Sequence, residues 1–375
     1  MKNNFLLLLK FLKKEIVFTI AAFLAIVSFI VVKPGIRVCD GIDFRTLVLL
    51  FSLMSVVSGL QRQFVFEKTG NYIIGKVTNS KILIFFLVFI CFISSMVLTN
   101  DVALITFVPF SVMILPMAGE EDKLILTVVL QTLAANLGSV LTPLGNPQNL
   151  YLYNISGMSA GEFVSFMFPL WIVSFFLVMV PVLFMKGNAI SKANVHSTPK
   201  GDVKKQVFYL VLFILCLLCV LKVLDYRILF GIVVASILVF DRKALIKVDY
   251  ILLLTFVGFF IFIYDMKQIP AVVSWISSVV VGREFLVGIL SSQVISNVPA
   301  AILLSGFTDN LKTLLLSVDV AGMGTLIASM ASLISYKLYG TYSKSKPGKY
   351  IFVFTLFNIV YLIITYVFCV LWYHI

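Results

Sequence analysis

Residues 135–149 read ANLGSVLTPLGNPQN, and within them two glycines and two prolines fall inside ten residues of an otherwise apolar neighbourhood. Proline has no amide proton to give a helix and clashes with the preceding turn. Glycine adds a further entropic cost, so no continuous helix runs through this text. The residues before it (LILTVVLQTL, 124–133) and the apolar run after it (about 166–185) belong in lipid. A helix that breaks in lipid frees backbone N–H and C=O groups, which must be met by protein, water or a bound ion. The break is therefore the first sign of a binding place at mid-membrane depth.

Composition sets the solvent. Of 375 residues, 61% are hydrophobic and 12% charged, against roughly a quarter charged in soluble domains. The net charge of +12 sits mostly in short loops between apolar runs, where it orients helices in a membrane. Nucleic-acid binding is not expected. Five cysteines (Cys39, Cys91, Cys216, Cys219, Cys369) include one CxxC pair, Cys216 and Cys219. No second pair or nearby histidine completes a metal site, so none is expected. The stretch Met1–Lys14 is basic and amphipathic, and the apolar run from about 15 to 32 ends at Lys33-Pro34-Gly35 without a small-residue cleavage pattern. A retained first helix is expected there, not a removed signal peptide.

Further apolar runs lie near 46–60, 82–98, 102–117, 124–135, 206–223, 228–240, 250–264, 284–295, 299–306, 326–336 and 350–372. A full crossing takes about 20 residues, and the short runs cluster at 82–150 and 284–336. Broken apolar segments in matching positions of two halves point to a transporter binding site. The pattern predicts an all-α polytopic membrane protein of two inverted repeats joined by a linker. The first repeat (1–185) carries a re-entrant hairpin at 82–117 and a broken helix at 124–165. The second (206–375) carries a hairpin at 284–306 and a broken helix at 308–336. The linker, 186–205 (KGNAISKANVHSTPKGDVKK), is cytoplasmic and holds His196. With this layout the amino terminus is cytoplasmic and 21 of the 29 lysines and arginines fall on that side, as the positive-inside rule requires. The two hairpins then enter from opposite faces.

Polar residues at the hairpin tips carry the chemistry. Thr99-Asn100-Asp101 lies between two apolar arms, and a carboxylate in hydrocarbon must face protein, water or an ion. These residue types are also what a plain helix start prefers, and a capped half-helix in mid-membrane satisfies both readings. Ser296-Asn297-Val298-Pro299 repeats the pattern, with proline early in a helix, where its missing N–H does no harm. The first break offers Ser139, Thr142, Gly145, Asn146 and Asn149. The matching text 322–332 (GMGTLIASMAS) offers Gly324, Thr325 and Ser329 without a proline. There, close helix packing through small residues and a true break stay equally open. Asp319 lies two turns inside the segment that starts near Thr308, within reach of the polar centre. Asp265 follows Tyr264 and is read as marking a helix end. No histidine, metal cluster or paired-acid motif stands near the membrane centre, so no catalytic residue and no enzyme activity are expected. Nothing resembles a channel filter.

Four texts, LTNDVALITFVPF (98–110), NLGSVLTPLGNPQN (136–149), SQVISNVPA (292–300) and GMGTLIASMAS (322–332), resemble the ion transporter superfamily in order and spacing across both halves. That group holds the citrate-transporter-like and arsenite-permease-like proteins and the divalent anion/sodium symporters. The resemblance implies an elevator mechanism, with hairpins and broken helices moving against a scaffold that often forms a homodimer. It implies that Thr99, Asn100, Ser296 and Asn297 line substrate and cation sites, with sodium near Asn100, Asp101 and Asn297. Ser139, Thr142, Gly145, Asn146 and Thr325 would add oxygens from the breaks. The dicarboxylate symporters carry Ser-Asn-Thr at both tips, whereas here the tips read Thr-Asn-Asp and Ser-Asn-Val. An acidic tip resembles the arsenite permease and antiporter branches. No arginine stands at either tip to clamp a carboxylate. The expected function is secondary transport of a small anion in the bacterial inner membrane, coupled to protons or sodium, with no other cofactor. A sodium/proton antiporter using Asp101 is the alternative.

Overall fold

Short polar side chains start most of the helices. In the computed structural model, which describes residues 15–32, 39–65, 77–189 and 201–375, α1 spans Ile16–Val32 and α2 Phe44–Arg62. The first hairpin is α3 (Ser80–Leu98) and α4 (Asn100–Met117). Then come α5 (Leu124–Gly138), α6 (Pro147–Ser156) and α7 (Ala160–Leu183). The connecting helices are α8 (Val203–Val220), α9 (Tyr226–Phe240), α10 (Tyr250–Met266) and α11 (Pro270–Val280). The second hairpin is α12 (Glu284–Ile295) and α13 (Asn297–Ser305), followed by α14 (Leu311–Val320), α15 (Met330–Tyr339) and α16 (Pro347–Tyr373). The side chains of Asp43, Asn79, Asn146, Ser159, Asp202, Asp225, Asp249, Asn310 and Ser329 each accept a hydrogen bond from a backbone N–H of the helix they precede. Each such cap contributes about 1 kcal/mol. Met1–Lys14, Lys33-Pro34-Gly35, most of loop 61–81 and the linker around His196 lie outside the described residues.

The protein is an all-α, multi-pass membrane protein. Among the described residues seven helices are long and apolar enough to cross a membrane, or eight if the bent pair α10–α11 is counted as one span. Helix α11 was absent from the expected apolar runs because three serines interrupt its text, PAVVSWISSVV. Ile269, extended before Pro270, ends the preceding helical path, and α11 turns 110° away from α10. Helix α7 begins before its apolar text does, because Ser159 and Glu162 form a reciprocal capping box.

Two units share one contact plan. In the first, α3, α4 and α5 pack on one another, and α5 hands over to α6 through a break. In the second, α12, α13 and α14 do the same, and α14 hands over to α15. The second text is thus a true break, since helix stops at Val320 and resumes at Met330. The units interlock crosswise, with α4 against α15 and α6 against α13. Around them α1 packs along α10, and α2 against α8 and α9. Asp265 does sit one residue from the end of α10, but it is fully buried and takes a 2.8 Å hydrogen bond from Ser28 Oγ on α1.

The ends of α2, α8 and α9 are tied by one carboxylate. Arg62 Nη1 lies 2.8 Å from Asp241 Oδ1, and Tyr209 donates to Asp241 Oδ2 at 3.0 Å. Burial opposes the charge on Asp241, but the bonds from Arg62 and Tyr209 outweigh it and hold the carboxyl below the usual carboxylate range. A depressed folded value means stability that is present above about pH 4 and lost as the pH falls further. Asp241→Asn is expected to destabilise the protein by ~1–3 kcal/mol at neutral pH. Thermal unfolding in detergent reads this, and the gap to wild type should close below about pH 4.

Candidate functional site

Six of the described helices, α4, α5, α11, α12, α13 and α16, start without a side-chain cap bond, and two of them share a second feature. Neither α4 nor α13 receives a side-chain cap bond, and the residues before them, Thr99 (φ 80, ψ 151) and Ser296 (φ 73, ψ 154), hold the same left-handed backbone. Non-glycine residues in that region cost of order 1–3 kcal/mol and persist only where the surroundings enforce them. The enforcement is visible. Asn100 N donates to Gly145 O at 3.0 Å, and Asn297 N donates to Ala328 O at 3.0 Å. Each tip is thereby hung from the break of its own unit.

The correspondence extends residue by residue. Thr142 Oγ1 donates to Met96 O in the first unit, and Thr325 Oγ1 donates to Gln293 O at 3.1 Å in the second. Asn146 and Ser329 cap α6 and α15. The two units are joined through a matched pair, Asn136 near the end of α5 and Asp319 near the end of α14. Asn136 Oδ1 accepts from Asn100 Nδ2 (3.1 Å) and from Ser329 Oγ of the other unit (3.0 Å), while its Nδ2 donates to Gly322 O (3.1 Å). Asp319 Oδ1 accepts from Asn146 Nδ2 (3.4 Å) and Gln148 Nε2 (3.3 Å), again across the units.

The residues singled out in the sequence therefore divide. Asn100, Ser139, Asn146, Asn149, Ser296, Asn297 and Ser329 are buried in or beside this polar centre. Ser139 accepts from Asn146 Nδ2 at 3.0 Å, and Asn149 Nδ2 reaches the freed carbonyls of Ser139, Val140 and Thr142 at 3.4 Å each. Thr142 and Thr325 brace the hairpin arms. Gly145 and Gly324 are needed for space and backbone shape. A Cβ on Gly145 would lie 1.9 Å from Ser139 O, and Gly324 has φ +109 with Gln293 Oε1 2.2 Å from where a Cβ would stand. Thr99 and Asp101 face an adjoining cavity of about 200 Å³, which Asn146 also borders, bounded by α2, the first tip, the start of α6, the turn at 242–249 and α15. Lys247 and Asp249 line it too. Among the described residues Asp101 is half-buried, and its carboxylate accepts no hydrogen bond.

Asn136 and Gln148 were not singled out. A lone amide in an apolar helix carries no local signal. Aligning the two breaks on Thr142 and Thr325 pairs Asn136 with Asp319 and exposes both.

The family model for citrate transporters matches residues 5–315, most of the chain. The chain belongs to the citrate transporter family. A protein of Methanocaldococcus jannaschii termed an uncharacterized transporter is 33% identical over 327 residues, covering 86% of this chain and 88% of the relative. The inner membrane protein YbiR of Escherichia coli is 31% identical over 304 residues, covering 79% and 80%. A Dictyostelium discoideum transporter named arsB is 29% identical over 142 residues, 36% of this chain and 24% of the relative. The protein is accordingly a multi-pass transporter of the citrate-transporter and arsenite-permease type.

Two substitutions test the geometry. Ser296→Gly should relieve backbone strain and melt higher than Ser296→Ala, by about 1 kcal/mol. Gly145→Ala should melt far below wild type, because its methyl group has no room beside Ser139 O. Thermal unfolding of the purified variants reads both.

Proposed function

We propose that the protein is a secondary transporter of a small anion, a carboxylate or an inorganic oxyanion such as arsenite, in the bacterial inner membrane. Transport is coupled to protons or sodium. The two units move as one elevator body against a scaffold that includes α2 and α8–α10, with a homodimer as the assembly. The observation that carries this reading is the convergence of four helix starts, α4, α6, α13 and α15, on one buried polar centre. Helix N-termini present N–H groups and positive dipole ends, which favour an anion without any arginine. The cavity beside Thr99 and Asn146, at about 200 Å³, suits a small solute. Discontinuous helices at a repeat interface are the architecture transporters use for this purpose.

The units are inverted repeats in this reading. Between the hairpins the chain crosses through α5–α6, α7, α8, α9 and α10, while α11 bends aside. An odd number of crossings brings the second hairpin in from the opposite face. The charge count of the loops puts the first hairpin's open end in the cytoplasm.

A sodium/proton antiporter is the second reading. It is favoured by Asp101, which lines the cavity together with Asp249. One experiment separates the two. Protein in liposomes is given sodium, a pH gradient, citrate, succinate, phosphate, sulfate and arsenite in turn. Flux of one anion, lost in Asn100→Ala and Asn297→Ala at unchanged protein level, is expected. Undiminished flux in both variants would remove the site. Sodium-driven proton release without any anion, lost in Asp101→Asn, would replace the anion carrier with the antiporter.

A further inference from the structure

Asp319 is 2% exposed and lies where the two units touch. Its Oδ1 accepts two amide N–H bonds from the start of α6, and its Oδ2 is buried with no hydrogen-bond partner. The matching position in the first unit holds Asn136, a neutral amide with partners on both of its polar atoms. The centre thus has one acid on one side only, and that acid has one atom unmatched.

No cation faces Asp319 from the elements around it. Helices α5 and α13 carry no titratable side chain, and α6 carries only Tyr151 and Tyr153. Helix α12 carries Glu284, which accepts from Thr308 Oγ1 at 2.8 Å. Helix α16 carries Cys369, a neutral thiol, with Lys349, Tyr350, Tyr361, Tyr366 and Tyr373 as its other titratable groups. Lys312, on α14 itself, lies about two turns away and sits over the Phe166 ring at 5.8 Å. A carboxylate with no counter-charge in such surroundings is costly unless it takes up a positive charge. The two N–H donors at Oδ1 suit the carbonyl oxygen of a neutral acid, leaving Oδ2 as the atom that carries hydrogen. Asp101 differs, since it is half-buried on the cavity wall, where water can solvate it.

We propose that Asp319, not Asp101, is the group that takes up and releases the coupling proton, with Oδ2 the atom protonated. This rests on the transport reading above and assigns its coupling site. An O–H bond forms at Oδ2 with a proton from water at one face, and breaks again to water at the other. Because Asn146 and Gln148 bind Asp319 across the units, proton occupancy acts on the contact that holds the substrate-binding centre together.

The test uses the full chain in liposomes and reads the proton directly. Infrared difference spectra between acid and alkaline buffer should contain a protonated-carboxyl band in wild type and Asp101→Asn that is missing from Asp319→Asn. Asp319→Glu keeps a titrating carboxyl and should shift that band, which covers the case of an unstable Asn variant. With labelled citrate and arsenite, accumulation driven by an acid-outside gradient should be lost in Asp319→Asn and should keep a pH dependence with a shifted midpoint in Asp319→Glu. An unchanged infrared band in both Asp319 variants, or gradient-driven accumulation retained in Asp319→Asn, would overturn the assignment. So would thermal stabilisation by sodium chloride over choline chloride that depends on Asp319, with no carboxyl band. Absence of all solute flux in wild type would count against the transport reading alone, since the infrared signal needs no solute.

Discussion

Four helices, α4, α6, α13 and α15, begin inside the bundle, where side chains and hydrocarbon surround their first N–H groups. Two others, α5 and α14, end there. Away from the cavity water cannot meet these backbone groups, and each one left unmatched in lipid costs several kcal/mol. The Asn136 side chain answers much of this demand. One amide holds the first tip through Asn100, the second break through Gly322, and the cap of α15 through Ser329. The position of the first tip, which borders the cavity, follows from that small set of bonds.

The same constraint explains why the tips are strained. Asn100 and Asn297 must each deliver a backbone N–H to a carbonyl in the neighbouring break, and the chain reaches that register only through a left-handed residue before them. Threonine and serine occupy those positions where glycine would be comfortable. A hydroxyl retained against its backbone preference is a mark of use. The Ser296 hydroxyl turns back onto Asn297 Oδ1 and Ala328 O, at 3.5 and 3.4 Å, whereas Thr99 borders the cavity.

Much of this was legible in the sequence. The prolines at 143 and 147 announce the first break, and the paired Thr-Asn and Ser-Asn texts announce the tips. Thr99, Asn100, Ser139, Asn146, Ser296 and Asn297 are singled out this way, and Ser329 by the matching text of the second half. The second break was not decidable, because GMGTLIASMAS has no proline, and small residues serve helix packing equally well. Only the structure reveals that Gly324 needs its positive φ and that Gln293 stitches the freed carbonyls of Ala321 and Met323. Asn136 and Gln148 escaped because their worth lies in contacts across the units, which no local pattern records. Helix α11 escaped because it is amphipathic and short. Lys247 was read as one more orienting charge, and its place on the cavity wall depends on how a loop folds back.

The brevity of α12 and α13 has a consequence for biogenesis. At 12 and 9 residues, neither arm reaches across a core of about 30 Å at 1.5 Å per residue. Neither arm is an insertion signal by itself. The hairpin becomes stable once α6 and α14 offer it a protein surface, and α6 is made well before it. The amino-terminal unit thus serves as a template during synthesis. A chain cut off before α12 lacks the partner that the α6 face has in the full protein.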